Sequence, residues 1–337
     1  MRIAVVHNAV KDNDRADEQD VLVQADAVCQ TLAGLGYETT RVVCTLDLAG
    51  VKRRLEAIAP QLVFNLVESL DGRDRLIHLF PALLDTMELP YTGSCTEALL
   101  LTGNKVLAKE RMVIAGLTTP AWVGPYPKGL PSLSKSLRLP PEGPWIIKSL
   151  WENGSLGLDN DDFVFEQPLT ALNPTLMERA KCLGGSCFAE AFIQGREFNL
   201  SILQGPEGPE VLPPAEIVFE DYGVGKPQVV GYRAKWDPGS FEYHHTPRRF
   251  EFPPDDEILL KRLKSSALRC WDLFGLGGYG RVDFRVDSQG CPFILEVNCN
   301  PCLSPDAGFA ASVLRSGLSI ADAIERIVRG AISHKKR

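Results

Sequence analysis

Side chains that can bind a metal or act as nucleophiles lie close together near the end of the chain, in PFILEVNCNPC (292–302). Glu296 and Asn298 have oxygen donors, and two cysteines follow in a C-x-x-C spacing. A second segment, RVDFRVD, contributes Arg281 and Asp283. Alternate residues on a strand share a face, so Arg281 and Asp283 should point together, as should Glu296 and Asn298.

The short turn SQG between these two segments predicts an antiparallel pair of strands whose polar faces come together. Three oxygen-bearing side chains, Asp283, Glu296 and Asn298, would then surround one point, with Arg281 beside them. Hard oxygen ligands of this kind suit Mg²⁺, or the similar ion Mn²⁺, because such ions retain waters and bridge substrate phosphates. The alternative is a structural cluster of ion pairs, and the pattern favours the metal site.

Cations that could meet a phosphate lie upstream of these strands. Lys148 ends the apolar segment PWIIKS and precedes the loop WENGSLG, in which Gly154 and Ser155 would let backbone N–H groups approach phosphate oxygens. Lys105 opens a predicted helix, and Lys235 lies in the segment YRAKWDPGS. A lysine at the end of a buried strand beside a glycine-rich loop is a moderately specific indication of phosphate binding.

The C-x-x-C pair, Cys299 and Cys302, has two functional interpretations, a redox dithiol and half of a zinc site. No second Cys or His pair stands at zinc spacing, and the pair does not open a helix after a strand as a thioredoxin-like dithiol would. We therefore expect both thiols to fill space.

The segment GLGGYG (275–280) matches the G-x-G-x-x-G dinucleotide fingerprint. That fingerprint needs a strand before it and a helix after it, so that the helix N-terminus meets the pyrophosphate. Here the predicted order is reversed, with a helix ending at Phe274 and a strand beginning at Arg281. The glycines are predicted to form a helix C-cap and a turn.

The elements that position these residues follow from the periodicity of apolar side chains. The first hundred residues read as βαβαβ and predict a parallel sheet with helices on both faces. A loop rich in Pro, Gly and Ser is predicted from about 124 to 144, and the middle of the chain reads as α+β. A helix at about 255 to 274 precedes the two polar strands, and a last helix is predicted near 319 to 330.

Length and composition limit the functional classes. A chain of 337 residues predicts two or three domains and is large enough to bury a site. A net charge of −7 argues against general nucleic-acid binding. No apolar run reaches membrane-spanning length, and the first residues lack the features of a secretory signal, so we expect a cytoplasmic protein with no membrane partner.

Taken together, these motifs resemble the D-alanine–D-alanine ligase group of ATP-grasp enzymes over nearly the whole chain. The matching stretches include FNLVESLDGRD, GNKVLAKERMVIAGLTTPAWV, WIIKSLWENGSLG, FAEAFIQGREFNL, YRAKWDPGS and GYGRVDFRVD. The resemblance implies an ATP-grasp fold, α/β and α+β, with three regions. These are an N-terminal α/β domain at 1–104, a central lid domain at 105–194, and a C-terminal domain at 195–337 that completes the ATP site.

The resemblance also implies roles for individual residues. It implies ATP contacts by Lys105 and Lys148 at the phosphates, by Glu190 and Ile193 at the adenine, and by Glu197 at the ribose hydroxyls. It implies further that Lys235 lies near the γ-phosphate, that Arg281 binds the reacting carboxylate, and that Asp283, Glu296 and Asn298 bind Mg²⁺. A homodimer is common among similar proteins.

The chemistry implied is ATP-dependent joining of a carboxylate to an amine through an acyl phosphate, with an amino acid or peptide as substrate. The chain departs from the family where those substrates bind. Glu68 replaces the early loop histidine, and Trp236 replaces a tyrosine. Two hydroxyl positions that hold the second substrate's carboxylate fall at Pro305 and Ala307, and the first-loop acid is matched only ambiguously, by Asp17 or Glu18. We therefore expect substrates other than two D-alanines. The alternatives are D-alanine–D-alanine ligase itself and a catalytically silent nucleotide-binding module.

Overall fold

The computed structural model of the chain describes residues 1–127, 140, 142–158 and 164–334. The predicted loop from about 124 to 144 lies largely outside these described residues, as does the end of the glycine-containing turn after Leu158. Within the described ranges, no helix is both long enough and apolar enough to cross a membrane.

The chain begins with a three-stranded parallel sheet in the order β2-β1-β3. Its elements are β1 (Arg2–Asn8), α1 (Ala16–Gly34), β2 (Glu38–Cys44), α2 (Leu48–Ile58) and β3 (Leu62–Leu66). This order confirms the predicted βαβαβ pattern. Three further helices follow, which are α3 (Leu79–Thr86), α4 (Thr96–Gly103) and α5 (Lys105–Ile114).

Helices cover both faces of this parallel sheet. Ile3 and Val5 belong to a buried cluster that also contains apolar residues of α1. Their neighbours Ala4 and Val6 point to the opposite face and pack with residues of α2 and α3. Because both of their faces are buried, β1 and β3 are largely apolar, as expected for a parallel sheet, whereas the edge strand β2 is partly exposed and more polar.

A four-stranded antiparallel sheet in the order β4-β7-β5-β6 follows. Its elements are β4 (Trp122–Tyr126), β5 (Trp145–Ser149), β6 (Val164–Phe165), α6 (Leu172–Ala180) and β7 (Cys187–Ala191). Helix α6 packs on one face, where Leu172 and Leu176 contact Trp145 and its neighbours in a small core. Lys148 and Glu190 lie on β5 and β7, so this sheet supplies two of the predicted ATP contacts.

The rest of the chain forms a six-stranded antiparallel sheet with β12 near its centre. Its strands are β8 (Arg196–Gln204), β9 (Pro209–Val211), β10 (Ala215–Ile217), β11 (Arg248–Arg249), β12 (Tyr279–Val286) and β13 (Pro292–Asn298). The helices of this part are α7 (Tyr232–Trp236), α8 (Phe241–His244), α9 (Glu257–Phe274), α10 (Gly308–Arg315) and α11 (Ile320–His334). Helix α9 packs on the apolar face of the sheet, in a cluster with Phe198, Val282 and Phe284.

The GLGGYG segment is a cap and a turn, as predicted. Helix α9 ends at Phe274, and Gly275 has the left-handed conformation of a helix C-cap, with φ of 63°. Strand β12 then begins at Tyr279, two residues earlier than expected. The dinucleotide interpretation fails because the glycines follow a helix and precede a strand.

A β-bulge interrupts the pairing of β12 with β13. Asp283 pairs with Glu296, but the next residue, Phe284, pairs with Ile294, which leaves Leu295 without a cross-strand partner. A bulge re-aims the side chains around it. Here it lets Ile294 stay in the apolar core while Glu296 points to the opposite face, which simple alternation along the strand did not predict.

Gly195, between β7 and β8, provides a test of how closely the two antiparallel sheets are joined. Its φ is +142°, and an added Cβ would lie 2.0 Å from the carbonyl oxygen of Val286. Gly208 has a similar φ of +143° with nothing within 4 Å of the added Cβ. Because only Gly195 meets another backbone, Gly195→Ala should lower the free energy of unfolding by about 1–3 kcal/mol more than Gly208→Ala. Urea denaturation of both variants measures the difference, and equal destabilisation would contradict the close approach.

Candidate active site

Polar side chains from three neighbouring strands line one cleft. In the sheet register, Arg281 lies opposite Asn298, and Asp283 lies opposite Glu296. On its other side, Asp283 lies opposite Asn199 of β8. The predicted convergence of the two polar strands is therefore present, and β8 adds a third polar strand to the same face.

Asp283 is held by two neighbours. Arg281 donates two hydrogen bonds to it, from Nε to Oδ1 at 2.7 Å and from Nη2 to Oδ2 at 2.8 Å. The amide of Asn199 donates to Oδ1 at 2.8 Å. The carboxylate of Asp283 raises the pKa of Arg281, although burial alone would lower it. Arg281, predicted to bind the reacting carboxylate, and Asp283, predicted to bind the metal, thus form an ion pair with each other.

Glu296 and Asn298 complete the candidate metal site. Nζ of Lys105 lies 4.0 Å from Oε1 of Glu296. The side-chain oxygen of Asn298 accepts a hydrogen bond from the backbone N–H of Asn300 at 2.9 Å, which fixes its orientation. Among the described residues, no group of three or more His, Cys, Asp and Glu side chains could hold a metal. Two carboxylates and an amide oxygen instead fit Mg²⁺, which takes one or two carboxylates and completes its shell with waters and phosphates.

Lys148 belongs to a buried charge cluster. Its ammonium donates to Oε1 of Glu190, while Nζ of Lys109 lies 2.8 Å from Oε2 of the same carboxylate. Glu190 and Lys109 are each only 1% exposed. Lys109 also donates to Thr119 Oγ1 at 2.7 Å and to the carbonyl of Pro120 at 3.0 Å. Glu190 therefore fixes the position of Lys148, in addition to any contact of its own with a ligand.

Glu197 and Ile193 are joined by an arginine that the sequence did not single out. Arg285 donates from Nη1 to Glu197 Oε2 at 3.1 Å and from Nε to the carbonyl of Ile193 at 3.0 Å. Burial raises the pKa of Glu197, against the opposing charge of Arg285. The two residues expected at the nucleoside are thus held at one wall of the cleft.

The glycine-rich loop after β5 closes the cleft from another side. Gly154 and Ser155 both have left-handed backbones, with φ of 68° and 63°. The hydroxyl of Ser155 donates to the carbonyl of Val230 at 3.0 Å, which ties this loop to the segment before α7. Lys235 of α7 lines the same cleft, and burial followed by the charge of Arg281 lowers its pKa.

A larger cavity of about 930 Å³ adjoins this cleft and includes Glu68. The side chain of Glu68 accepts a hydrogen bond from Gln24 at 2.8 Å. Burial is the main cause that raises the pKa of Glu68, to about 8, and the nearby charges of Asp20, Asp74 and Asp17 add to it. One side of this cavity is therefore a cluster of acids.

The two thiols of the C-x-x-C segment face different surroundings. All nine cysteines are free. Cys299 lies 3.0 Å from the hydroxyl of Thr102 in the core, and burial raises the pKa of its thiol to about 11. The thiol of Cys302 donates to Asp20 at 3.0 Å, and Ser304 donates to the same carboxylate at 2.9 Å. Cys302 thus anchors a wall of the larger cavity to helix α1.

Comparison with known proteins identifies the family. Residues 144–329 match the family model for the D-ala D-ala ligase C-terminus. The chain is 32% identical to the D-alanine–D-alanine ligase of Moorella thermoacetica over 97% of this chain and 98% of that protein. It is 30% identical to the D-alanine–D-alanine ligase of Pelotomaculum thermopropionicum, covering 95% of each. The chain belongs to the D-alanine–D-alanine ligase family.

Solved structures agree with this assignment at the level of the fold. The crystal structure of D-alanine–D-alanine ligase from Bacillus anthracis, complexed with ATP, superposes with a TM-score of 0.73 at 18% identity. The match covers 100% of this chain and 99% of that one. The fold is therefore ATP-grasp with an N-terminal parallel-sheet domain, and the chain is an ADP-forming carbon–nitrogen ligase of this family.

The structure brings most residues predicted from the family motifs into one place. The ligase cleft beside the three polar strands is lined by Lys105, Lys148, Gly154, Ser155, Glu190, Ile193, Glu197, Lys235, Arg281, Asp283, Glu296 and Asn298. Glu68 lines the larger cavity instead, which seven of these residues also border. Sequence reasoning missed Asn199, although it stands two residues after Glu197 and so shares its face. It also missed Lys109, for which the sequence offers no signal.

The pH dependence of the free energy of unfolding tests whether Glu68 is buried in the folded protein. A carboxyl whose pKa is raised in the folded state favours folding while it is protonated. Its contribution to the free energy of unfolding is therefore complete below pH 4.5, the ordinary pKa of a glutamate. The contribution is lost as the pH rises towards about 8. The stability of the wild type should therefore fall relative to Glu68→Gln between pH 5 and pH 8. Urea denaturation of both proteins across this range measures the difference, and a difference that does not change with pH would contradict the burial of Glu68.

Proposed function

We propose that the protein joins the carboxylate of an amino acid to the amine of a second amino acid or peptide, using ATP and passing through an acyl phosphate. One observation supports this most directly. The residues matching the family's ATP and metal positions lie in one cleft, and that cleft opens into a larger cavity with a different set of polar side chains. We infer that nucleotide chemistry is retained while the substrates differ from two D-alanines.

In this proposal, the cleft binds ATP with its phosphates towards the charged end. Lys105, Lys148 and Lys235 neutralise the phosphates, and the backbone of the loop at Gly154 and Ser155 covers them. Glu190 and Ile193 lie at the adenine. Glu197 lies at the ribose, where its carboxylate can accept hydrogen bonds from the hydroxyls.

We assign Mg²⁺ to Asp283, Glu296 and Asn298. When bound, the ion would neutralise charge on the phosphates and align them for transfer. Asp283 would exchange part of its contact with Arg281 for the ion, which releases the guanidinium to face the reacting carboxylate. Mn²⁺ has the same preference for oxygen ligands and could replace Mg²⁺.

The proposed reaction has two steps. A carboxylate oxygen of the first substrate attacks the γ-phosphorus of ATP, and the bond from that phosphorus to ADP breaks. The amine of the second substrate then attacks the acyl carbon, loses a proton, and expels inorganic phosphate as the carbon–oxygen bond breaks. Arg281 stabilises negative charge on the acyl oxygen, and the lysines stabilise charge on the transferred phosphoryl group.

The substrate proposal rests on the larger cavity. Glu68 and Asp20 border the part nearest α1, where their carboxyl groups suit an ammonium group. Trp236 borders the cavity from α7, and Ala307 replaces a hydroxyl with a methyl group.

A second candidate is D-alanine–D-alanine ligase itself, which is favoured by similarity over almost the full length of the named relatives. The catalytically silent alternative is disfavoured because the charged residues of the cleft are all present.

A substrate screen separates these candidates. ADP formation should be measured with Mg²⁺ and ATP across amino acids and dipeptides of both hands, singly and in pairs, with products identified by mass spectrometry. We expect a pair other than D-alanine with D-alanine to react at least about 30-fold faster, equivalent to about 2 kcal/mol, because Glu68 and Trp236 shape the cavity for a different substrate. Formation of D-alanyl-D-alanine from D-alanine alone at about 10 per second would establish the second candidate instead. Absence of ADP formation with every pair would support the silent alternative.

The metal assignment has its own test. Glu296→Gln removes an anionic ligand without changing size, so turnover should fall by at least about 100-fold while the folded protein keeps its thermal midpoint. Glu257→Gln is the matched control, because Glu257 lies on the exposed face of α9, away from the cleft, and pairs with Lys261. Wild-type turnover of Glu296→Gln at ordinary Mg²⁺ concentrations would contradict the assignment.

We also propose that the three regions expected from sequence, 1–104, 105–194 and 195–337, are the domains of the protein. Each region contains one of the three sheets. The second boundary falls at the close approach of Gly195 to Val286. Limited proteolysis should therefore release fragments that end near 104 or 194, and cleavage confined to the interior of a sheet would contradict these boundaries.

A further inference from the structure

Two adjacent arginines on β11 have different surroundings. Arg249 donates to Glu216 Oε2, from Nη2 at 2.5 Å and from Nε at 3.2 Å. Arg248 points to the other side of the strand and lines the larger cavity. Its guanidinium donates from Nη1 to the carbonyl of Asp306 at 3.2 Å. Among the ion pairs of the described residues, none includes Arg248. This guanidinium therefore has donors available to a ligand.

Arg248 lies beside the segment that follows the candidate metal ligands. A Cβ on Gly308 would be 3.4 Å from its Nε. Gly308 is the first residue of α10, and both it and Ala307 border the same cavity. The guanidinium of Arg248 thus lies near Ala307. At this position the family resemblance implies a hydroxyl donor, and this chain has a methyl group instead. An arginine can replace such a donor because its planar fork binds a carboxylate through two parallel hydrogen bonds.

A second arginine faces the same space. Arg281 borders the cavity from β12. Arg248 is exposed to solvent at the edge of the cavity. Partial desolvation by its neighbours and then the positive charge of Arg281 lower the pKa of Arg248, against the weaker influence of Asp306, Tyr243 and Cys302. Arg281 is already paired with Asp283. Arg248 and Lys235 are the cations bordering the cavity that have no ion pair among the described residues, and Arg248 is the one beside α10. An anion between the two arginines would be stabilised by both.

The two ends of the cavity differ in charge, although Arg15 pairs with two of the acids at one end and Asp306 borders the other. Acidic side chains border it near α1 and the loop after β3, where they are Asp17, Glu18, Asp20, Glu68 and Asp74. Arg248 borders the end beside α10, and Arg281 of β12 borders the same cavity. At about 930 Å³, the cavity lies at the upper end of the range for small-molecule sites, so it has room for two substrates, one of them larger than alanine.

We propose that Arg248 binds the carboxylate of the amine-donating substrate and thereby selects an acceptor with a free carboxyl terminus. This inference rests on the ligase function proposed above. The acceptor would place its carboxylate on Arg248 and its amine towards Arg281, where the acyl phosphate forms. Arg248 would then determine which acceptor binds and would take no part in phosphoryl transfer.

The test compares acceptors that differ only at the carboxyl group. ADP formation is measured with glycine, D-alanine, L-alanine and the alanylalanine dipeptides, each as the free acid and as the C-terminal amide. We expect the wild type to prefer the acids by about 30-fold in kcat/KM. Arg248→Gln should raise the acceptor KM for the acids by about 30-fold, equivalent to about 2 kcal/mol, with kcat and the KM for ATP nearly unchanged. Arg248→Lys should recover part of the loss, because it keeps the charge without the planar fork.

Arg249→Gln is the matched control, since it changes the neighbouring residue on the same strand. It should lower thermal stability by breaking the contact with Glu216 and leave the acceptor KM within about threefold of the wild type. An acceptor KM for Arg248→Gln within about threefold of the wild type, in an enzyme that ligates, would overturn the role of Arg248 alone. Absence of ADP formation with every acceptor in the wild type would overturn the proposed function and this inference with it.

Discussion

The register of strand β12 with its two neighbours is the constraint on which the rest of the cleft depends. β12 pairs with β8 on one side and β13 on the other, so one face of three strands presents Glu197, Asn199, Arg281, Asp283, Arg285, Glu296 and Asn298. The opposite face buries Phe198, Val282 and Phe284 under α9. A slip of one residue would exchange the two faces and place charges in the apolar core. The same hydrophobic burial that stabilises the sheet therefore fixes the positions of the polar side chains.

Charge pairing then fixes the orientation of the charged side chains in the cleft. Asp283 binds Arg281, Glu197 binds Arg285, and Glu190 lies between Lys109 and Lys148. Such buried pairs cost desolvation free energy and are weak evidence of stability by themselves. In this cleft they fix the direction of each cation, so under the proposed function less side-chain ordering would be needed when a phosphate binds. The adjoining cavity is built differently, with acids near α1 and an arginine without a carboxylate partner at β11.

Much of the fold and part of the site follow from local patterns in the sequence. The βαβαβ start, the helix before GLGGYG and the hairpin of β12 and β13 depend on periodicity and turn residues close together in the chain. The bulge at Leu295 was not predicted, because it arises when Ile294 and Glu296 must face opposite sides of one sheet. Lys109, Arg285 and Arg248 were also missed. Their partners lie far away in the chain or on short edge strands, so only tertiary packing shows which arginine is paired and which faces a cavity.

The most direct test of the account is the position of the metal ion relative to these strands. Crystals of the protein grown with ADP and Mn²⁺ would locate the ion by its anomalous scattering. We predict a peak within coordination distance of Glu296 and Asn298, with Asp283 turned towards the ion and Arg281 at least partly released from it. A peak bound elsewhere in the cleft, with the Arg281–Asp283 pair unchanged and Glu296 free of metal, would contradict the claim that the register of β12 and β13 builds the metal site.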